Sequence, residues 1–189
     1  MYLQYNSSFF FVLVFAFSIS FEVTAQKEAE KFTARQAIYL ELGGSSGRYA
    51  VNYGRIFHQK EKLKLNVSAG FALWHYTSNF SPEKTTWLPV IPIEFTAIWG
   101  RSNHHLELGT GIVSYLQTVD RIDLETYEVS EEIVFSAFVP FRVGYRYQKP
   151  GGGFFYRVGY TPILNLPVGG RGNWDFEPRF AGISIGKSF

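Results

Sequence analysis

Glu94, Glu107, Arg142 and Arg157 are single charges set within apolar, alternating stretches, each on the parity opposite to the bulky rings around it. Counted back from one end of four consecutive strand-like segments, they lie at comparable depth. Two carboxylates and two guanidiniums facing one interior are expected to meet. Arg and carboxylate form forked hydrogen-bonded pairs, whereas a charge left alone away from water is costly. The expected chemistry is an ion-pair plug that braces the interior, with a gate or proton-linked path as the alternative. Glu41, Lys64 and Arg146 share the inward parity nearer the ends, where water is expected to solvate them.

Other reactive groups are sparse. There is no Cys, which excludes thiolate metal sites, Cys nucleophiles, disulfides and a lipidated Cys anchor. Of the four His, His75 stands near Ser78 and Ser81 at the start of a loop, a combination that acyl transfer or hydrolysis could use. A solvated loop His is the expectation. His104 and His105 are adjacent and so point to opposite faces of a strand, which is poor geometry for joint metal binding even with His58 on a nearby turn. Gly151, Gly152 and Gly153 after Pro150 lack the Lys-Ser/Thr context of a phosphate loop and read as a turn. No catalytic residue, metal or cofactor is expected.

Alternation of period two supplies the elements that would position these groups. Eight segments carry it: Ala37–Gly43, Tyr49–Phe57, Leu63–Trp74, Trp87–Trp99, His104–Leu116, Ile133–Tyr147, Phe154–Leu164 and Arg179–Phe189. In the third, Leu63, Leu65, Val67, Ala69, Phe71 and Leu73 oppose Lys64, Asn66, Ser68, Gly70 and Ala72. Side-chain size decides which face looks out. Gly109, Gly111, Gly182, Ser184 and Gly186 suit a narrow interior, while Phe95, Phe141, Tyr145, Tyr156 and Tyr160 would overfill it.

Connector lengths sort the same way. His58–Lys62, Gly100–Asn103 and Gln148–Gly153 are short, whereas His75–Thr86, Gln117–Glu132 and Asn165–Pro178 are long and Gly44–Arg48 is brief. Short turns at one rim and long loops at the other are the habit of transmembrane barrels. The fold class expected is all-β, an eight-stranded antiparallel up-and-down transmembrane barrel. Trp74, Trp87 and Tyr115 are assigned to an aromatic girdle at the loop rim, and Phe57, Trp99, Tyr147, Phe154 and Phe189 to one at the turn rim.

In 189 residues, 46% of them hydrophobic, no run after the N-terminus approaches a transmembrane helix. The formal charge of +2 argues against a nucleic-acid partner. An apolar run from Phe9 to Phe21 followed by Val23-Thr24-Ala25 reads as a cleavable signal peptide over residues 1–25. Residues 26–36 form a polar periplasmic lead, and 37–189 the barrel domain.

From Ala37 to Phe189, alternating segments ending on an aromatic residue resemble the small outer-membrane barrels of Gram-negative bacteria, the OmpA-type transmembrane domain and its eight-stranded relatives. The terminal segment, with Ala181, Ile183, Ile185 and Phe189 on one face, is similar to the signal read by the barrel-assembly machinery, although Lys187 stands where such signals usually carry an apolar residue. The resemblance implies an outer-membrane location, partners in outer-membrane lipid and lipopolysaccharide, and a monomer. The role expected is structural or surface-binding. The alternatives are a lipid-A or phospholipid-modifying enzyme and a narrow small-solute channel. The acidic segment Gln117–Glu132, with Asp120, Asp123, Glu125, Glu128, Glu131 and Glu132 against Arg121, and Asn165–Pro178 with Trp174 are the candidate contact loops.

Overall fold

A computed structural model describes residues 29–77, 85–122, 129–169, 172–178 and 180–189. The expected signal peptide lies outside these residues, as do Ser78, Ser81, Asp123, Glu125 and Glu128.

The strands are β1 (Gln36–Gly43), β2 (Tyr49–Lys60), β3 (Leu63–Thr77), β4 (Thr85–Trp99), β5 (His104–Ile122), β6 (Val129–Gln148), β7 (Gly153–Tyr160), β8 (Ile163–Asn165), β9 (Asp175–Glu177) and β10 (Ala181–Ser188). Each of β1 to β6 pairs antiparallel with the next. Strands β7 and β8 both pair with β6 and form one stave interrupted at Thr161-Pro162, where proline has no N–H to give. Strands β9 and β10 form the eighth stave against them. The wall then closes, because β10 pairs with β1 in the register Leu40 with Ile185 and Leu42 with Ile183. The protein is a closed eight-stranded antiparallel barrel.

Parity follows the sequence reading over most of the wall. Leu40, Val51, Phe71, Ile93, Phe95, Leu108, Phe141, Val158, Ile183 and Ile185 are exposed on the outside. Asn66, Ser68, Thr96 and Ser184 are buried inside. A register shift between Ile56 and His58 places the extra residue, Phe57, at a bulge, so Phe57 and His58 are both exposed.

Two girdle assignments are overturned. Trp74 and Tyr115 are buried, 5.3 Å apart between ring centroids, and belong to an interior cluster with Val90, Val113, Phe138 and Ile163. The reason is the strand period: Trp74 is two residues from inward Ala72, and Tyr115 eight from inward Glu107. Trp87, Phe57, Trp99, Phe154 and Phe189 are exposed. On the outer wall near the short turns, Tyr147 stacks on Tyr156 at 5.2 Å.

The long connectors are also more ordered than a loop reading implies. Strands β5 and β6 continue as a hairpin through the pair Ile122 and Val129, and β8 and β9 pair inside the segment assigned to Asn165–Pro178. Arg121 and Glu132 form an ion pair at 2.5 Å on that hairpin.

Candidate functional site in the barrel interior

The interior holds three layers, of which the middle one is ionic. Arg142 on β6 donates from Nε to Glu94 Oε1 at 2.7 Å and from Nη2 to Glu41 Oε1. Arg157 on β7 donates from Nη1 to Glu94 Oε2 at 2.8 Å and from Nη2 to Glu41 Oε1 at 3.0 Å. Each carboxylate therefore bridges two guanidiniums, and the four side chains form a closed ring with alternating charge. Staves one, four, six and seven are tied together across the lumen.

Three of the four residues expected to cluster, Glu94, Arg142 and Arg157, lie in this ring, and its fourth member is Glu41. Glu107 lies 3.9 Å from Arg157 Nη1 and makes its close pair with Arg146 at 2.9 Å. The expectation that Glu41, Lys64 and Arg146 are solvated near the ends is overturned, since all three are buried. The physical reason is that chain segments outside the eight staves, Gly44–Ser46 and residues 30–35, pack into the lumen beside them.

At the loop end, the segment after β1 turns inward. Gly44–Ser46 forms one turn of 3-10 helix, reached through positive φ at Gly43, Gly44 and Gly47 (67°, 64° and 78°), backbone that only glycine adopts at little cost. Ser45 Oγ donates to Glu94 at 2.6 Å, Ser46 Oγ donates to Glu41 Oε2, and Arg142 Nη2 donates to Ser45 Oγ at 3.0 Å. Ser184 on β10 accepts from Arg157 Nε at 3.0 Å. The lone pairs of the buried carboxylates are thus largely met, the condition under which such a cluster is tolerated.

At the turn end, residues 30–35 cross the mouth. Phe32 is buried with Ile56 and Ile98, its ring 4.8 Å from Lys64 Nζ and 5.4 Å from the His105 ring. Its N–H donates to Gln59 Oε1 at 2.9 Å, the N–H groups of Thr33 and Ala34 both donate to Pro150 O at 3.0 Å, and Gln148 Nε2 donates to Ala34 O at 3.2 Å. Lys64 Nζ donates to Gly100 O at 2.6 Å. Sequence reasoning misses this strap because seven of the ten residues from Gln26 to Arg35 are polar; its one signal is Phe32 alone among them.

The third layer, between the ionic ring and the loops, is aromatic: Trp74, Tyr115 and Phe138. Elsewhere the candidate residues stay apart. His75 packs its ring against Trp87 at 5.4 Å. His104 faces outward against Tyr145 and Tyr147, and His105 inward. Ala181, Ile183, Ile185 and Phe189 are all exposed on the outer wall.

The class this geometry defines is a closed eight-stranded antiparallel barrel, apolar outside and charged within. No family model and no curated protein matches the chain. Among solved structures, the N-terminal β-barrel domain of Pseudomonas aeruginosa OprF is similar at 12% identity and a TM-score of 0.44, over 82% of this chain and 96% of that one.

Proposed function

We propose that this chain is an integral outer-membrane protein of a Gram-negative bacterium, a barrel whose interior passes no solute and whose role is structural or surface-binding. The observation that carries the reading is the inversion of the usual soluble arrangement. Rings and branched aliphatics such as Phe71, Ile91, Phe95, Phe135 and Phe154 are exposed while three arginines and three glutamates are buried. A water-soluble monomer seldom exposes so continuous an apolar surface, and hydrocarbon accepts it only around a wall whose backbone groups pair internally. A recess of about 530 Å³ between Phe57, Phe95, Leu108 and Phe141 on the outer wall has room for lipid chain.

The short turns and the N-terminal strap face the periplasm in this reading, and the long hairpins face outward toward lipopolysaccharide. Residues 1–25 act as the export signal, and the outward stripe Ala181, Ile183, Ile185 and Phe189 serves the assembly machinery. The ionic ring and the strap argue for a closed lumen rather than a channel. An eight-stranded barrel is narrow enough for its own side chains to fill it.

Two measurements test this. Detergent-extracted protein should change gel mobility on boiling, as a folded barrel does, and protein reconstituted in planar bilayers should carry no steady current. Recovery wholly in the soluble fraction would sink the membrane assignment. Stable conductance would replace the sealed barrel with a channel.

A further inference from the structure

Above the ionic ring, the loop end of the lumen opens into a cup of about 270 Å³ with Trp74, Tyr115 and Phe138 at its base and Arg48, Tyr76 and Glu177 around it. We propose that this cup binds a saccharide, one or two neutral pyranose rings, at the outer face of the barrel. The proposal deepens the surface-binding role above and rests on that reading for which side of the membrane the cup faces.

The cup is a built recess. Its aromatic base is ordered by ring contacts of 5.3 Å between Trp74 and Tyr115 and 5.9 Å between Tyr115 and Phe138. Trp74 is 6% exposed, yet its indole N–H has no acceptor among the described residues. A buried donor without a partner costs roughly 1–3 kcal/mol. Planar polar groups surround the rings. Asn165 donates to Asp175 at 3.3 Å and Glu177 at 3.4 Å, which fixes the Glu177 carboxylate beside the opening, and Gln117 donates to Ser136 at 2.9 Å and to Gly169 O at 3.2 Å.

The same groups discriminate among ligand classes. An organic cation would seek the aromatic faces, but the Arg48 guanidinium already lies 5.0 Å from the Trp74 ring and 5.5 Å from that of Tyr76. A simple anion would be drawn to Arg48 and repelled by Asp175 and Glu177. A purely apolar guest would cover the Arg48 guanidinium and the Glu177 carboxylate without returning a hydrogen bond to either. A neutral pyranose fits the lining that remains: its C–H face packs on the half-buried Phe180 ring that also lines the cup, its hydroxyls donate to Glu177, and its oxygens accept from Arg48.

The test uses the full folded protein in detergent micelles, with glucose, maltose and N,N′-diacetylchitobiose as soluble probes, followed by Trp fluorescence and ligand-observed NMR. Saturable binding of at least one sugar is expected, weakened about tenfold by Glu177→Gln and by Arg48→Gln, the scale of one lost hydrogen bond to a charged group. Trp99→Phe, on the outer wall at the turn end and outside the cup, should leave it unchanged. Because Tyr115→Ala removes an interior ring and could prevent folding, the two rim variants carry the test. Vesicles containing lipopolysaccharide, compared with phospholipid vesicles, distinguish the source. Competition by lipopolysaccharide assigns the cup to a glycolipid headgroup, and its absence to a free sugar. No saturable binding of any of the three sugars, or equal binding by the rim variants, overturns the proposal, as does preference for tetramethylammonium or benzoate. Heat-dependent gel mobility of the same samples reports separately on the barrel itself, so loss of sugar binding with the mobility change intact refutes the cup alone.

Discussion

Gly182 and Gly44 touch backbone to backbone inside the lumen: a methyl group added at Gly182 would lie 2.3 Å from both the Cα and the N of Gly44. The eighth stave carries no side chain there because the first loop occupies the space. That contact holds Ser45 and Ser46 against Glu94 and Glu41, so backbone clearance and interior electrostatics are one feature.

Gly182→Ala should therefore expel the 44–46 turn and remove both serine hydrogen bonds. Overpacking of this kind costs about 1–3 kcal/mol. A lower midpoint for the heat-induced mobility change is expected, with Gly151→Ala, whose added Cβ meets nothing within 4 Å, as the neutral control. Equal midpoints for the two variants would mean the turn is not seated as described.

The ring of Glu41, Glu94, Arg142 and Arg157 should behave as one unit. Arg142→Ala leaves two buried carboxylates short of a partner and should cost about 3–5 kcal/mol in detergent unfolding. Glu94→Ala combined with Arg142→Ala should cost less than the two singles summed, with a coupling of about 0.5–3 kcal/mol. Arg157→Lys should also destabilise, since an ammonium cannot reach Glu94, Glu41 and Ser184 as the fork does. Additivity across the cycle would dismiss the ring.

Much of this arrangement is legible from period two alone. Strict alternation puts Glu94, Arg142 and Arg157 inside and Phe95, Phe141 and Tyr160 outside, because a strand has only two faces. Depth is another matter. Whether Glu41 or Glu107 meets Arg157 depends on strand stagger and on chain segments beyond the staves, neither of which leaves a local mark. Gly43-Gly44-Ser45-Ser46-Gly47 announces flexibility and small size, but its inward fold is decided by Gly182, more than 130 residues away. For Trp74 and Tyr115, residue type points to a girdle and parity to the interior. Parity prevails, since a strand cannot rotate one side chain without its neighbours.

If the lumen is closed as proposed, the strap and the ionic ring act as two seals in series. Phe32→Ala should loosen the turn end, exposing Lys64 and His105 to water, without letting ions through, because the ring remains. Phe32→Ala together with Glu94→Ala and Arg142→Ala should give measurable current in planar bilayers. Current from Phe32→Ala by itself would show that the strap is the only barrier.

Four tryptophans report on the inside-out arrangement from independent positions, which makes it testable by depth-dependent quenching. Trp87 and Trp99 stand at opposite ends of β4 on the outer wall, 58% and 55% exposed, whereas Trp74 is enclosed and Trp174 lies 62% exposed between β8 and β9. In single-Trp variants reconstituted into lipid, brominated acyl chains should quench Trp87 and Trp99 strongly. Aqueous acrylamide should quench Trp174 and spare both. Trp74 should resist the lipid quencher because the wall stands between it and the hydrocarbon, and should respond to acrylamide only as far as the loop-end cup admits it. Quenching of Trp74 by brominated lipid at the level of Trp99 would turn the third stave inside out and, with it, the parity that buries Lys64, Asn66 and Ser68.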